Sequence, residues 1–240
     1  MAMVAEVMCT AEGWEKREEK MDSGRSSPDV SDRPEILVVV DVQNDYCHEE
    51  GAFGRAGFRM ELIQEAVRRL EAFLEAWRAL HRPIVFVRTE HSSWTDAAGW
   101  RARLRGLRAE VVPEICRAGT WGAAFYQVTP RAGEYVVTKH RFSAFSGTEL
   151  DLVLRSREVR GLAVAGVTTD VCVEGTVRSA VDLGYTVTVV GDCCGAFEEQ
   201  DHEAALARMG KYFGTVRTSR DLLNGLAECA GRAWTGGSSS

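Results

Sequence analysis

The chain has 240 residues, 45% of them hydrophobic and 27% charged, which fits one globular domain better than two. No window approaches the roughly 18 consecutive apolar residues of a membrane helix, so we expect no membrane span. The formal net charge of -6 and the lack of a clustered Lys/Arg stripe argue against a nucleic-acid partner.

The two ends of the chain differ in composition from its middle. Residues 1–33 mix charge runs with Ser, Pro and Asp and lack apolar periodicity, which predicts a flexible N-terminal arm. Residues 231–240 end in Gly and Ser and predict a flexible tail, which leaves residues 34–230 as the folded domain. The seven cysteines include no C-x-x-C pair, and no apolar signal segment precedes them, as is typical of reduced thiols in a cytoplasmic protein.

Apolar runs and helical patterns alternate through the middle of the chain. The run Ile36–Val40 is apolar without alternation, as expected of a strand buried on both faces. Apolar residues then recur at steps of three and four within residues 58–80, which predicts a long helix. Further strands are predicted at residues 84–87, 135–138, 162–165, 186–190 and 214–217. The alternation of strands and helices predicts an α/β fold with a parallel sheet covered on both sides.

Residues whose side chains could take part in catalysis follow three of these strands. In parallel sheets ligands bind beyond the carboxyl ends of the strands, near the point where strand order reverses. Asp41 ends the first strand, Lys139 ends the strand at residues 135–138, and Cys172 lies a few residues beyond residue 165. Strand geometry would bring all three to one edge of the sheet.

Cys172 opens a helical pattern that runs to Gly184. The free amides of a helix N-terminus stabilise a thiolate, so we expect a cysteine pKa below its usual value of about 8.5. A buried structural cysteine would give the same local pattern. Likewise Asp41 alone could be a strand-end cap, and Lys139 alone a snorkelling surface residue. Together they favour catalysis, in which the carboxylate takes and returns a proton and the ammonium steadies the anions.

Three ordered motifs make the chain similar to a known family, the isochorismatase-like cysteine hydrolases. That family includes nicotinamidases, N-carbamoylsarcosine amidases, biuret hydrolases and ureidoacrylate amidohydrolases. The motifs are VVDVQNDY at 39–46, KHRFSAF at 139–145 and GVTTDVCV at 166–173, and the match spans most of the chain. The resemblance implies a doubly wound six-stranded parallel sheet with helices on both faces and a catalytic triad of Asp41, Lys139 and Cys172. It also implies a homodimer or homotetramer.

The resemblance further implies how the triad acts. A cis peptide between Val167 and Thr168 would turn the Thr168 amide inward, where it forms an oxyanion hole with the amide of Cys172. The thiolate would attack a carbonyl, release ammonia or an amine, and leave a thioester that water hydrolyses. No cofactor is required, and Gln43 is expected to contact the substrate.

Residues 119–125 and 139–145 look most like the ureide-cleaving branch, the biuret and ureidoacrylate hydrolases. A small amide or ureide is therefore the expected substrate. Candidate residues for binding it are four aromatic side chains and one arginine that could hold a carboxylate: Tyr46, Trp121, Phe142, Phe145 and Arg141. Core packing would explain the aromatic residues as well, and a subunit contact would explain the arginine.

Other functions on the same fold stay open. Nicotinamidases of this family hold a metal beside the triad, whereas here the second strand is followed by Glu90 and His91 without a second histidine. These are too few ligands for a zinc site, so no metal is expected, although His48 and Glu49 could add to a weak one. Isochorismatase-type vinyl ether hydrolysis belongs to members without a nucleophilic cysteine. A non-catalytic binding protein is the remaining alternative.

Overall fold

The computed structural model describes residues 34–99, 102 and 115–235, with side chains described through residue 228. The predicted arm at residues 1–33 lies outside the described residues, so its flexibility stays a prediction. The strands are β1 (Ile36–Val40), β2 (Ile84–Thr89), β3 (Tyr135–Lys139), β4 (Gly161–Val167), β5 (Thr186–Gly195) and β6 (Thr215–Arg217). All six coincide with predicted strands, although β3 continues one residue, β2 and β4 two residues, and β5 five residues past the predicted ends.

The strands form one parallel sheet in the order β3-β2-β1-β4-β5-β6. Strand order reverses between β1 and β4, since the chain first builds outward on one side and then on the other. The predicted doubly wound, six-stranded parallel sheet is therefore confirmed. Its reversal point is where such folds hold their ligands.

The described helices lie between and after the strands. They are α1 (Asn44–Cys47), α2 (Ala52–Arg55), α3 (Glu61–Ala79), α4 (Leu150–Ser156), α5 (Glu174–Asp182), α6 (Glu199–Tyr212) and α7 (Ser219–Thr235). A π-helical turn, Thr169–Val173, leads into α5, and a 3-10 turn spans Trp121–Ala123. The last helix continues to Thr235, inside the segment that composition predicts as a tail. None of the described helices combines the length and apolar character needed to cross a bilayer.

Two apolar cores cover the sheet. Because side chains alternate along a strand, Val38 and Val40 of β1 face one core, together with α4, α5 and α6, while Leu37 and Val39 face the other, with α3 and α7. All five residues of β1 are buried. This explains why β1 reads as a continuous apolar run rather than an alternating one.

Gly166 lets β1 and β4 approach closely at the reversal point. It pairs with Val40 and has a φ of 123°, which is open to glycine and strained for other residues. A Cβ at this position would lie 2.1 Å from the carbonyl oxygen of Val40. The missing side chain thus allows the ends of both strands, which lead into Asp41 and the Cys172 turn, to lie side by side.

Candidate active site

Asp41 and Lys139 form a buried ion pair beyond the strand ends. The Nζ atom of Lys139 lies 2.7 Å from Oδ2 of Asp41, and the two side chains are 1% and 0% exposed. Asp41 has a φ of 53°, a left-handed conformation that few non-glycine residues adopt and that aspartate tolerates better than most. This backbone turn follows directly from the end of β1.

Thr89 joins this pair from the strand between them. Its Oγ1 donates to Oδ1 of Asp41 at 3.0 Å and accepts from Nζ of Lys139 at 2.8 Å. Thr89 ends β2 and is the register partner of Lys139 on β3. It is not among the residues predicted from sequence, because the predicted strand stops at residue 87. A polar residue at the end of a buried strand is the same signal that indicated Asp41 and Lys139.

Cys172 completes the group from the other side of the reversal point. It lies in the π-helical turn after β4, is 6% exposed, and its Sγ is 3.5 Å from Nζ of Lys139. The ammonium also donates to the carbonyl oxygen of Arg141 at 2.9 Å. Four adjacent strands, β3, β2, β1 and β4, therefore each supply one polar group to a single cluster.

The electrostatics of the cluster keep the thiol protonated at rest. Burial raises the pKa of Cys172 to about 12; the Lys139 ammonium lowers this pKa and the Asp41 carboxylate raises it. The expected lowering by a helix N-terminus is thus wrong, because the loss of solvation outweighs it. Burial lowers the pKa of Lys139, but its interactions with Asp41 and Cys172 outweigh this and the pKa is raised. A nucleophilic thiolate here needs an adjacent base to take its proton.

The peptide bond between Val167 and Thr168 is cis, at the position where the resemblance implies it. The carbonyl oxygen of Thr168 accepts hydrogen bonds from the amides of Val171 and Val173, at 3.3 and 3.1 Å. These bonds hold the turn that carries Cys172 against the end of β4.

A cavity of about 230 Å³ opens onto the cluster. Its lining contains Lys139 and Cys172 and four other predicted site residues, namely Tyr46, Arg141, Phe142 and Thr168. It also contains residues that sequence patterns did not single out. These are the packed rings of Phe53, Phe58 and Phe197, with centroids 4.7 to 5.1 Å apart, and the acidic side chains of Asp170, Glu198 and Asp201. They reach the cavity from loops and helix starts, whose positions local patterns do not reveal.

Gln43 does not face this cavity, which corrects its expected role as a substrate contact. The side chain is 0% exposed. Its Oε1 accepts from the amide of Thr89 at 2.7 Å, and its Nε2 donates to the carbonyl oxygens of Thr89 and Ala123 at 2.8 Å each. Gln43 therefore fixes the backbone around Thr89.

Trp121 and Phe145 also lie away from the cavity lining. Trp121 is 51% exposed and meets the ring of His48 edge-on at 5.0 Å. The ring of Phe145 stacks on Tyr185 at 5.8 Å. Phe145 is held by ring stacking, and neither side chain reaches the cavity that contains Cys172.

His91 lines the cavity but points one ring nitrogen at a carboxylate. Its Nδ1 is 3.1 Å from Oδ1 of Asp96, whose other oxygen pairs with Arg117. Burial lowers the pKa of His91 below its ordinary value, partly offset by Asp96. Within the described part of the chain no three His, Cys, Asp or Glu side chains gather as metal ligands. That the protein works without a metal stays a prediction.

A thiol, a carboxylate and an ammonium gathered beyond the strand ends of a doubly wound sheet define the class of α/β cysteine hydrolases. Comparison with known proteins agrees with this class. The model of the isochorismatase domain family matches residues 35–221. The chain therefore belongs to the isochorismatase family, as its three motifs predict.

Individual relatives cover most of the chain. It is 33% identical to the ureidoacrylate amidohydrolase RutB of Methylobacterium radiotolerans over 193 residues, 75% of each protein. It is 31% identical to RutB of Stutzerimonas stutzeri over 192 residues, 75% of this chain and 77% of that protein. Among solved structures, an isochorismatase family protein from Desulfovibrio vulgaris is 32% identical with a TM-score of 0.70, covering 81% of this chain and 99% of that one.

Proposed function

We propose that the protein is a cysteine amidohydrolase that cleaves the C–N bond of a small amide or ureide. The observation that carries the proposal is the Cys172 thiol, which lies 3.5 Å from the Lys139 ammonium and interacts with the Asp41 carboxylate at the base of a small cavity. The similarity to ureidoacrylate amidohydrolases supports the same bond type.

In the first half of the reaction, the Cys172 thiol gives its proton to Asp41 and the thiolate attacks the substrate carbonyl. The oxyanion that forms is stabilised by the backbone amides of Thr168 and Cys172, a type of contact whose loss typically costs about 10²- to 10³-fold in rate. The C–N bond then breaks, and Asp41 returns the proton to the departing nitrogen, which leaves as ammonia or an amine.

In the second half, water attacks the thioester while Asp41 takes one of its protons. The C–S bond breaks, the acid product leaves, and the proton returns to the thiolate. Lys139 stays protonated throughout, because its anionic neighbours raise its pKa. Its charge compensates whichever of the two partners, thiolate or carboxylate, is the anion at a given step.

The cavity suits a small planar substrate. Phe142 and Tyr46 supply aromatic surface in its lining, and Arg141 supplies a cation. The Arg141 guanidinium is oriented by hydrogen bonds from Nη1 to the carbonyl oxygens of Thr95 and His140, at 3.1 and 2.6 Å. A carboxylate on the substrate would meet this group, as in a ureido acid.

The test is ammonia release from a panel of biuret, ureidoacrylate, N-carbamoyl amino acids and nicotinamide, with the wild type and Cys172→Ala side by side. Release by the wild type alone supports the proposal. The substrate that is cleaved shows which branch of the family the protein belongs to, the nicotinamidases included. Equal release by Cys172→Ala contradicts it. Silence across the panel, with a folded wild type, favours a non-catalytic binding protein.

We further infer a cytoplasmic enzyme that forms a homodimer or homotetramer. The five cysteines in the described residues are all free thiols, as is usual in a reducing compartment. The Trp94 side chain is 96% exposed in the single chain, and large exposed apolar side chains are common at subunit contacts. Light scattering on the purified protein tests the assembly, and a monomer at all concentrations contradicts it.

A further inference from the structure

We propose that Thr89 is a positioning residue whose hydroxyl reserves Oδ2 of Asp41 for the proton of Cys172. This inference rests on the proposed hydrolysis and adds a fourth member to its machinery. Thr89 reaches the reaction through Asp41 and Lys139, so it positions the reacting groups rather than reacting itself.

The proton count at the Thr89 hydroxyl fixes the direction of its hydrogen bonds. An ammonium has three donors and no acceptor, so Oγ1 of Thr89 must accept from Nζ of Lys139, 2.8 Å away. A hydroxyl has a single proton to donate, and this proton goes to Oδ1 of Asp41 at 3.0 Å, so the Tyr46 hydroxyl, which also pairs with Thr89, acts as a donor to Oγ1. Oδ1 thus already accepts a hydrogen bond, whereas Oδ2 accepts none in the described residues.

The other carboxylate oxygen, Oδ2, is buried and accepts no hydrogen bond within the described part of the chain. Oδ2 of Asp41 is 2.7 Å from Nζ of Lys139, and the same nitrogen is 3.5 Å from Sγ of Cys172. The ammonium therefore bridges Oδ2 and the thiol. When the proton moves from sulfur to Oδ2, the negative charge moves to sulfur, and the ammonium remains beside it because Thr89 still accepts one of its protons.

The Thr89 hydroxyl has little freedom to leave this position. The residue is 3% exposed, and the carboxamide of Gln43 holds both its amide and its carbonyl. The Glu90 amide donates to the carbonyl of Lys139 at 3.0 Å, which continues the β2–β3 pairing past Thr89. The Gln43 carboxamide, just beyond β1, thus fixes the backbone at the end of β2 that carries the Thr89 hydroxyl.

The variants that test this are Thr89→Val, which keeps shape and removes the hydroxyl, Thr89→Ala, which cannot overpack, and Thr89→Ser, which keeps the hydroxyl. Thr188→Val serves as a matched control, since Thr188 is a buried threonine in β5, away from the cluster. The measurement is the pH profile of Cys172 labelling by iodoacetamide, quantified by mass spectrometry of its peptide, alongside kcat/KM where a substrate is known.

Labelling needs no substrate, so the outcome is separate from that of the amide panel. Without the Thr89 hydroxyl, the Lys139 ammonium loses an acceptor and the Asp41 carboxylate loses a donor, so the two groups are no longer held to take the proton of Cys172 and to stabilise the thiolate. The acid limb of the labelling profile should therefore move to higher pH in Thr89→Val and Thr89→Ala, and kcat/KM should fall by about 10²-fold. Thr89→Ser and Thr188→Val should keep the wild-type profile.

The titratable groups that act on Asp41 or respond to its charge are Lys139, Cys172, Tyr46, Cys47 and Cys116.

Three outcomes would overturn the proposal. One is a Thr89→Val profile that superimposes on the wild type. Another is a Thr89→Ser profile shifted as far as that of Thr89→Val, since the hydroxyl would then not be the active feature. The third is a wild-type Cys172 that fails to react at any pH. If Thr89→Val and Thr89→Ala do not fold, the labelling profile of Thr89→Ser decides alone. An acid limb at the wild-type pH supports the proposal, and an acid limb at higher pH contradicts it.

Discussion

The Lys139 ammonium and the Asp41 carboxylate lie 2.7 Å apart and are almost entirely shielded from solvent. A buried pair of this kind contributes little net stability when intact, yet breaking it leaves one charge uncompensated, at a cost of about 3–5 kcal/mol. Lys139→Met and Asp41→Asn each alter one partner and differ in what they leave behind. The first leaves a carboxylate in an apolar environment, and the second leaves an ammonium.

We therefore expect Lys139→Met to lower the free energy of unfolding by about 3–5 kcal/mol. The double variant Asp41→Asn/Lys139→Met should lose less than the sum of the single losses, because no charge is left unpaired. Urea unfolding of the wild type, both single variants and the double variant gives the coupling. Strictly additive losses would show that the pair is not coupled.

Asp41→Asn is expected to separate thiol ionisation from turnover. The carboxylate raises the pKa of Cys172, and its removal leaves the lowering effect of Lys139, so the thiol should ionise below the present value of about 12. Turnover should nevertheless fall by about 10²- to 10⁴-fold, because the group that carries the proton is missing. Ultraviolet titration of the thiolate, with Cys172→Ala in the same background subtracted, measures the first effect. Retained turnover in Asp41→Asn would contradict the assigned role of the carboxylate.

Gln43→Leu is expected to destabilise the fold rather than weaken substrate binding selectively. It removes the partners of the Thr89 amide and of two buried carbonyl oxygens, and each group left unsatisfied costs about 1–3 kcal/mol. Gln64→Leu is the control, since Gln64 donates a longer bond of 3.2 Å to the carbonyl of Cys47 from a half-buried position. A raised KM with unchanged stability in Gln43→Leu would restore the role first predicted for this residue.

The protein is expected to lose stability as pH rises above about 8.5. Burial raises the pKa of every described cysteine thiol, so these thiols stay protonated in the folded state where those of the unfolded chain ionise: Cys47, Cys116, Cys172, Cys193 and Cys194. The folded state then binds more protons than the unfolded state, and the free energy of unfolding falls with increasing pH.

Urea unfolding at about pH 7 and about pH 10 checks this prediction, with the stabilising contribution fully present at the lower value. Cys194→Ala should show a shallower decline, since one of the five thiols is removed. A free energy of unfolding that does not change between the two pH values would show that the buried thiols do not control it.

The sheet was predictable because its strands carry strong local signals. Continuous apolar runs indicate strands covered on both faces, and Asp41 and Lys139 follow such runs directly, so the strand-end rule applies to both. Thr89 obeys the same rule but follows Arg88, a charged residue that makes the strand look shorter than it is.

The remaining parts of the site depend on contacts between distant segments. Gln43 meets Thr89 and Ala123, which lie 46 and 80 residues away along the chain, and no periodicity reports such contacts. The pKa of Cys172 depends in the same way on burial, which is a property of the whole fold. Local sequence therefore predicts which groups are present more readily than how each is solvated or held.

Thr89 and Lys139 are register partners on β2 and β3, so the positions of both polar groups are set by the sheet. The cavity lining is not set in this way. Because side chains alternate along a strand, a slip of one residue by either strand would turn that strand's polar group from the cluster toward the opposite face of the sheet. The chemistry is thus tied to the hydrogen-bond ladder of the sheet, which tolerates few changes. Residues that line the cavity, such as Phe53 and Phe197, lie outside that ladder. A new substrate preference can therefore arise by exchanging these residues while the bond-breaking apparatus is inherited unchanged.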